Sequence, residues 1–206
     1  MEPRKEYTGM SDSNIRLNDG SEVILDKKGK LTYLAQRSVL LDGRAYFDIA
    51  PDQTAPFTVD IFHGKVTVLG TEFNINTRKD QSQIYVTEGK VKCSFNNHDY
   101  LLTAGDMLTI NGDKVLSSKQ PSVKPDTWKN KVLRFENHSL HYVLESIADY
   151  YELKLVLPDK KNVDACKINT TFENEPVDRV LKELEILTGL SYELSAQNLI
   201  IKSFKC

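Results

Sequence analysis

Two histidines three residues apart, His138 and His141, are the nearest this chain comes to a metal motif. At that spacing on a helix both imidazoles turn to one side and could share a divalent ion. Such a site needs a third and a fourth ligand. The nearby Glu136 and Glu145 fall where surface carboxylates ordinarily fall, so solvated histidines at a helix start are the simpler reading. His63 precedes Gly64 and His98 follows Asn96-Asn97, which places both in turns. Asp48 alternates with Phe47 and Ile49, and Asp60 lies between Val59 and Ile61. Alternation in a strand turns such carboxylates toward solvent. A glycosidase needs two of them facing each other across a cleft, and no spacing here implies that. There is no G-x-S-x-G, H-E-x-x-H, Walker loop or G-x-G-x-x-G. The expectation is a chain that is not an enzyme, with no cofactor and no bound metal.

Of the three cysteines, Cys93 alternates with Val91 and Phe95 and reads as a small core residue. Cys166 lies in a loop and Cys206 is the last residue, so a disulfide between them is open in an oxidising compartment. Lys27-Lys28 with Lys30, and Lys160-Lys161, flank turn signals and read as solvated loops. With 27 Lys+Arg against 29 Asp+Glu, the net charge of −2 carries no basic footprint for nucleic acid. No apolar run exceeds three residues, which excludes a membrane-spanning helix. Met1-Glu-Pro-Arg-Lys-Glu has no apolar stretch of the secretory kind. A fragment of a longer exported chain would begin the same way.

These side chains must be positioned by two different kinds of structure. From about Ile15 to Leu116 the chain is a succession of short runs rich in β-branched and aromatic residues. Asp19-Gly20, Lys28-Gly29, Asp42-Gly43, His63-Gly64, Glu88-Gly89, Asn96-Asn97 and Asn111-Gly112 punctuate them. Short strands with turn signals at this pitch predict an all-β roll or sandwich over 14–116. Ser117 to Thr127, with two prolines, three serines and no apolar periodicity, predicts a linker. Trp128, the one tryptophan, reads as an anchor for it.

Residues 128–206 change to strand, helix, strand, twice over. Leu140, Val143, Leu144, Ile147 and Tyr151 recur at helical spacing, and so do Val177, Val180, Leu181, Leu184 and Leu187. Asn174-Glu175-Pro176 signals the start of the second helix and Thr188-Gly189 its end. At an offset of 37 residues the two halves match. Phe135-Glu136-Asn137 falls on Phe172-Glu173-Asn174, Val143-Leu144 on Val180-Leu181, and Leu153 and Leu157 on Leu190 and Leu194, seven identities in 23 positions. The matches fall at strand ends, helix starts and core-facing positions. This is an internally duplicated β-α-β unit in a small α+β domain, whose halves share one core.

Five segments of the first part carry a resemblance: Asn18 to Leu25, Gly43-Arg-Ala-Tyr-Phe-Asp-Ile49, Pro56 to Val59, Val68-Leu-Gly-Thr-Glu-Phe-Asn74 and Val86-Thr-Glu-Gly-Lys-Val91. In order and spacing they resemble the FecR family of anti-sigma regulators. The region from Trp128 to Lys202 is similar to the extra C-terminal domain of FecR-like proteins of Bacteroidetes-type bacteria, and through it to the short N-terminal domain of secretins and TonB-dependent receptors. Within the resemblance Gly43, Tyr46, Phe47, Gly70, Thr71, Phe73 and Gly89 read as fold determinants and not as ligand contacts. The resemblance implies a periplasmic signal-receiving portion, anchored to the inner membrane in the full-length protein. It would relay a signal from the signalling domain of a TonB-dependent outer-membrane transducer to a sigma factor. The sigma factor would be reached only through a cytoplasmic segment beyond this sequence, and the membrane only through a span beyond it. For partner contact the expectation is strand addition or face-to-face docking at the terminal strand, with Asn198, Ile200 and Lys202 near the contact. Rival readings are a carbohydrate- or metal-binding β-roll protein and an assembly module of a secretion channel.

Overall fold

The computed structural model describes residues 5–9, 13–62, 64–78, 81–112, 114–119, 127–157 and 165–205. The chain divides into two compact units, Met1–Pro121 and Ser122–Cys206.

The first unit is all β. Its strands are β1 (Glu6–Thr8), β2 (Ser13–Arg16), β3 (Glu22–Leu25), β4 (Lys30–Ala35), β5 (Ser38–Asp42), β6 (Arg44–Asp48) and β7 (Phe57–Ile61). They continue as β8 (Gly64–Val68), β9 (Glu72–Arg78), β10 (Gln81–Glu88), β11 (Lys90–Phe95), β12 (His98–Thr103), β13 (Asp106–Asn111) and β14 (Lys114–Lys119). Two seven-stranded sheets result, in the orders β1-β4-β5-β7-β8-β11-β12 and β14-β13-β10-β9-β6-β3-β2. The predicted roll or sandwich is what forms. The unit is longer than the expected 14–116, since β1 and the start of β2 precede it and β14 runs to Lys119.

The chain winds by alternating two moves. It makes a hairpin within one sheet, as at β4–β5 or β11–β12, and then crosses to the other sheet. Gly29, Gly43, Gly70, Gly89 and Gly105 all lie at such crossings. Gly29, Gly43 and Gly89, which the sequence marks as turn signals between strands, are corners between sheets. The parallel pairing of β5 with β7 has the same origin, because β6 leaves for the other sheet and returns the chain in the same direction.

Gly43 shows why a corner needs glycine. Its φ is 102°, and a Cβ there would stand 2.8 Å from the Cα of Gly29. The corner is then pinned by Thr77, whose Oγ1 accepts the Gly43 N–H at 2.7 Å. At Gly70, φ 150°, a Cβ would meet the Cα of Pro51 at 2.6 Å. Thr71 beside it is buried and donates its hydroxyl to the Lys90 carbonyl at 2.9 Å, tying this corner to the one at Gly89.

Between the sheets lies a core in which Phe47 and Phe73, cross-strand partners on β6 and β9, stack with centroids 4.9 Å apart. Tyr46 is buried and its hydroxyl bonds the Glu72 carboxylate. Two ion pairs, each with its arginine buried and its aspartate largely so, tie a loop to a strand and a turn to a loop. Arg44 meets Asp26 at 3.1 Å, and Arg37 meets Asp19 at 2.6 Å.

Cys93 on β11 is a free thiol in this core, and burial, with the Asp99 charge second, pushes its pKa up to about 12. With so little thiolate the nucleophile is lacking. An alkylating reagent at neutral pH should therefore label Cys93 only when the chain unfolds. Rapid labelling under native conditions, followed by mass spectrometry of the peptides, would contradict this placement.

The second unit opens with a 3-10 turn (Thr127–Asn130) carrying the buried Trp128 straight into β15 (Val132–Ser139). Then come α1 (Leu140–Tyr150), β16 (Lys154–Val156), β17 (Lys167–Glu173), α2 (Val177–Thr188), β18 (Ser191–Leu194) and β19 (Asn198–Ser203). Of the expected linker, 117–119 belong to β14 and 127 to the turn; residues 120–126 lie outside the described residues. β15 pairs with β17, while the second sheet has the order β16-β19-β18.

Candidate protein-docking site

The repeat seen in the sequence is present in the backbone. The helices start at Leu140 and Val177, and β16 and β18 start at Lys154 and Ser191, each pair separated by 37 residues. Left-handed residues recur at the same offset. Asn137 and Asn174 have φ of 55° and 52°, and Glu152 and Gly189 have φ of 56° and 62°. Asparagine tolerates this region better than most residues, which explains the Phe-Glu-Asn identity. Asn174 follows β17 on the way to α2 and Asn137 sits in the bulge of β15 between Phe135 and His138, while Phe135 and Phe172 bury their rings against each other, centroids 6.4 Å apart. Leu140, Val143, Leu144 and Ile147 of α1 join Val180, Leu181 and Leu184 of α2 in one core.

The halves differ at the helix ends. α2 closes on Gly189. α1 closes on Glu152 with the paired bonds of a Schellman turn, Leu153 N–H to Ala148 O at 2.8 Å and Glu152 N–H to Asp149 O at 3.2 Å. A side chain in this conformation is strained by about 1 kcal/mol. Glu152→Gly should therefore stabilise the protein by about 1 kcal/mol in urea unfolding, and an unchanged or lower midpoint would contradict the assignment.

The structure corrects the reading of the last strand. β19 is the middle of its sheet, parallel to β16 on one side and antiparallel to β18 on the other. Its backbone is taken, so Asn198–Lys202 offers no edge for strand addition. The short apolar run Leu199-Ile-Ile201 resembles an edge strand in length, yet it is central because both halves of the repeat use it. Asn198, Ile200 and Lys202 nonetheless share a face. Leu199 and Ile201 are buried on the inner side; Asn198 and Ile200 are half-buried and Lys202 exposed on the outer. There Ile200 lies beside the exposed Val156, its register partner. Lys202 reaches Glu193 at 3.1 Å. The arrangement is a small apolar strip bordered by charge, suited to covering by another surface. Among the described residues the edge strands of this sheet are β16 and β18.

The other singled-out groups do not converge. His138 stacks on Tyr142 at 4.3 Å and its Nδ1 accepts the Glu136 N–H, while His141 meets Glu145 at 3.2 Å. Among the described residues no three His, Cys, Asp or Glu stand close enough to hold a metal. Asp48 is exposed, and Asp60 pairs with Lys65 at 3.1 Å. His63, Lys160-Lys161 and Cys206 lie outside the described residues, but Cys166 is disulfide-bonded. No described helix is long and apolar enough to cross a membrane.

The chain is thus built of two units, a corner-wound β sandwich and a duplicated α+β module, with its signature glycines and aromatics placed at corners and in the core. Family comparison agrees with the division. The family described as FecR protein matches residues 5–92, and FecR, C-terminal, matches residues 132–201. The chain belongs to the FecR family of anti-sigma regulators. Two solved structures of a proposed anti-sigma factor from Parabacteroides distasonis ATCC 8503 have the same fold. One has a TM-score of 0.67 at 21% identity, covering 97% of this chain and 99% of that chain. The other has a TM-score of 0.67 at 22% identity, covering 99% and 100%. No curated protein matches.

Proposed function

We propose that this chain is the periplasmic, signal-receiving part of a membrane-anchored anti-sigma regulator. Its second unit docks on the signalling domain of a TonB-dependent outer-membrane transducer, and the first unit passes the event toward the sigma factor. The observation that carries this reading is the pairing of a FecR unit with a duplicated module whose outer sheet face keeps Val156 and Ile200 near solvent. An apolar strip with a charged border is the composition of a docking surface. The disulfide at Cys166 supports an oxidising compartment. Asn198, Ile200 and Lys202 are proposed here as contact residues through their face.

The experiment is calorimetry of the full chain against the signalling domain of a TonB-dependent receptor encoded beside it. A one-to-one complex is expected, weakened by Val156→Asp with Ile200→Asp. Absence of binding by a folded, disulfide-intact chain would reject the docking.

One observation favours a carbohydrate-binding reading. Phe62 is 81% exposed beside a groove lined also by Asp60, Asn96 and Asn97, and an exposed ring with amides nearby suits a sugar. Glycan titration of a Phe62→Ala variant against the parent chain separates the two readings.

A further inference from the structure

A groove of about 690 Å³ in the second unit is lined by Ala165, Cys166, Lys167, Ile168 and Asn169, with Leu187, Phe204 and Lys205 opposite. The first five are consecutive. Lys167, Ile168 and Asn169 are successive residues of β17, and Ala165 and Cys166 lead into it. A groove above one face of a strand touches alternate residues, because side chains alternate; one that touches all three runs along the strand's edge. The other edge of β17 is occupied, since Ile168 and Lys167 pair with His138 and Ser139 and the Cys166 carbonyl accepts the Leu140 N–H at 2.8 Å. The groove therefore follows the edge of β17 that no described strand covers.

Its far wall is unusual for this unit. Helical spacing put Leu187 in the core, but Thr188 takes that place, buried and donating its hydroxyl to the Leu184 carbonyl at 2.7 Å. At about 100° per residue, position 188 lies nearer the Leu184 direction than 187 does. Leu187 is left 53% exposed on the groove and Ile186 beside it 76% exposed. The charged residues lining the groove, Lys167 and Lys205, are both cations and both exposed.

We propose that the edge of β17 at Lys167–Asn169, which no described strand covers and into which Ala165 and Cys166 lead, is a strand-addition site for an extended protein segment that alternates apolar with acidic side chains. The incoming backbone pairs with β17, its apolar side chains lie against Leu187 and Phe204, and its carboxylates meet Lys167 and Lys205. Edge pairing supplies affinity, and the pockets and charges supply selection. This deepens the docking reading above and rests on it only for the identity of the natural partner.

The test uses the full chain, disulfide intact, and a synthetic alternating Val-Asp peptide, followed by hydrogen exchange and calorimetry. Amides of 165–169 should slow on binding. Lys167→Glu with Lys205→Glu should weaken the peptide by about tenfold or more, whereas Lys154→Glu, outside the groove, should leave it unchanged. A Val-Lys peptide should not bind. Failure of the acidic peptide to slow 165–169, or equal binding of the basic one, overturns the site. If the receptor's signalling domain binds without protecting 165–169, the docking stands and this edge is not its site. If the acidic peptide protects the edge while the signalling domain does not bind, the edge stands and the docking falls.

Discussion

Replacing Arg37 by alanine should destabilise the β unit by about 3–5 kcal/mol, the usual cost of stranding one member of a buried ion pair. Arg37 stands in the β4–β5 turn with φ of 56° and is only 6% exposed. One Nη donates to Asp19 in the β2–β3 loop at 2.6 Å, the other to the Ala50 carbonyl beyond β6 at 3.0 Å, and the guanidinium lies 5.7 Å over the Phe57 ring. One side chain thus joins a turn of the first sheet to a loop of the second. Without it the Asp19 carboxylate keeps its burial and loses its counter-charge. The Arg37 Nε has no protein partner, so the pair is not optimised for stability itself. Arg37→Met combined with Asp19→Asn should therefore recover most of the loss. Urea unfolding followed by circular dichroism measures both. A cost below about 1 kcal/mol for Arg37→Ala, the range of an exposed pair, would show that the clamp carries little.

Phe47→Ala should cost a similar amount, about 3–5 kcal/mol, from lost burial and the cavity left behind. Phe47 is fully buried, stacked on Phe73 and 6.5 Å from Phe57, so the gap opens between three rings anchored on different strands. Strands fixed by corners on both sides cannot collapse into it. Phe47→Leu, which keeps much of the volume, should lose well under half as much. Equal losses in the two variants, measured as unfolding midpoints, would contradict the stacking argument.

Much of this architecture was legible in the sequence. Apolar alternation located β3, β5 to β11 and β13, because their inner residues are buried and branched or aromatic. β1, β2, β4, β12 and β14 escaped notice because strands at or near the ends of the two sheets bury little and need no alternation. The duplication was legible down to its two asparagines, since a left-handed residue restricts the amino acids a position accepts. Corners and hairpin turns were not distinguishable, because glycine serves both. The docking region was the hardest to read. Strand order is a long-range property, and nothing in Asn198–Lys202 states that two other strands flank it. Leu187 misled for the opposite reason: its spacing was right for the core, and a threonine's ability to satisfy its hydroxyl on the preceding turn displaced it.

That β19 is central and also the last strand of the chain makes the module complementable. A chain ending before Asn198 would lose no margin of the sheet; it would carry a slot between β16 and β18. An added peptide spanning residues 198–205 should fill that slot as a donor strand does, restoring burial of Leu199 and Ile201. The fold thereby provides a split point, at which a piece ending before Asn198 is completed by a strand supplied in trans.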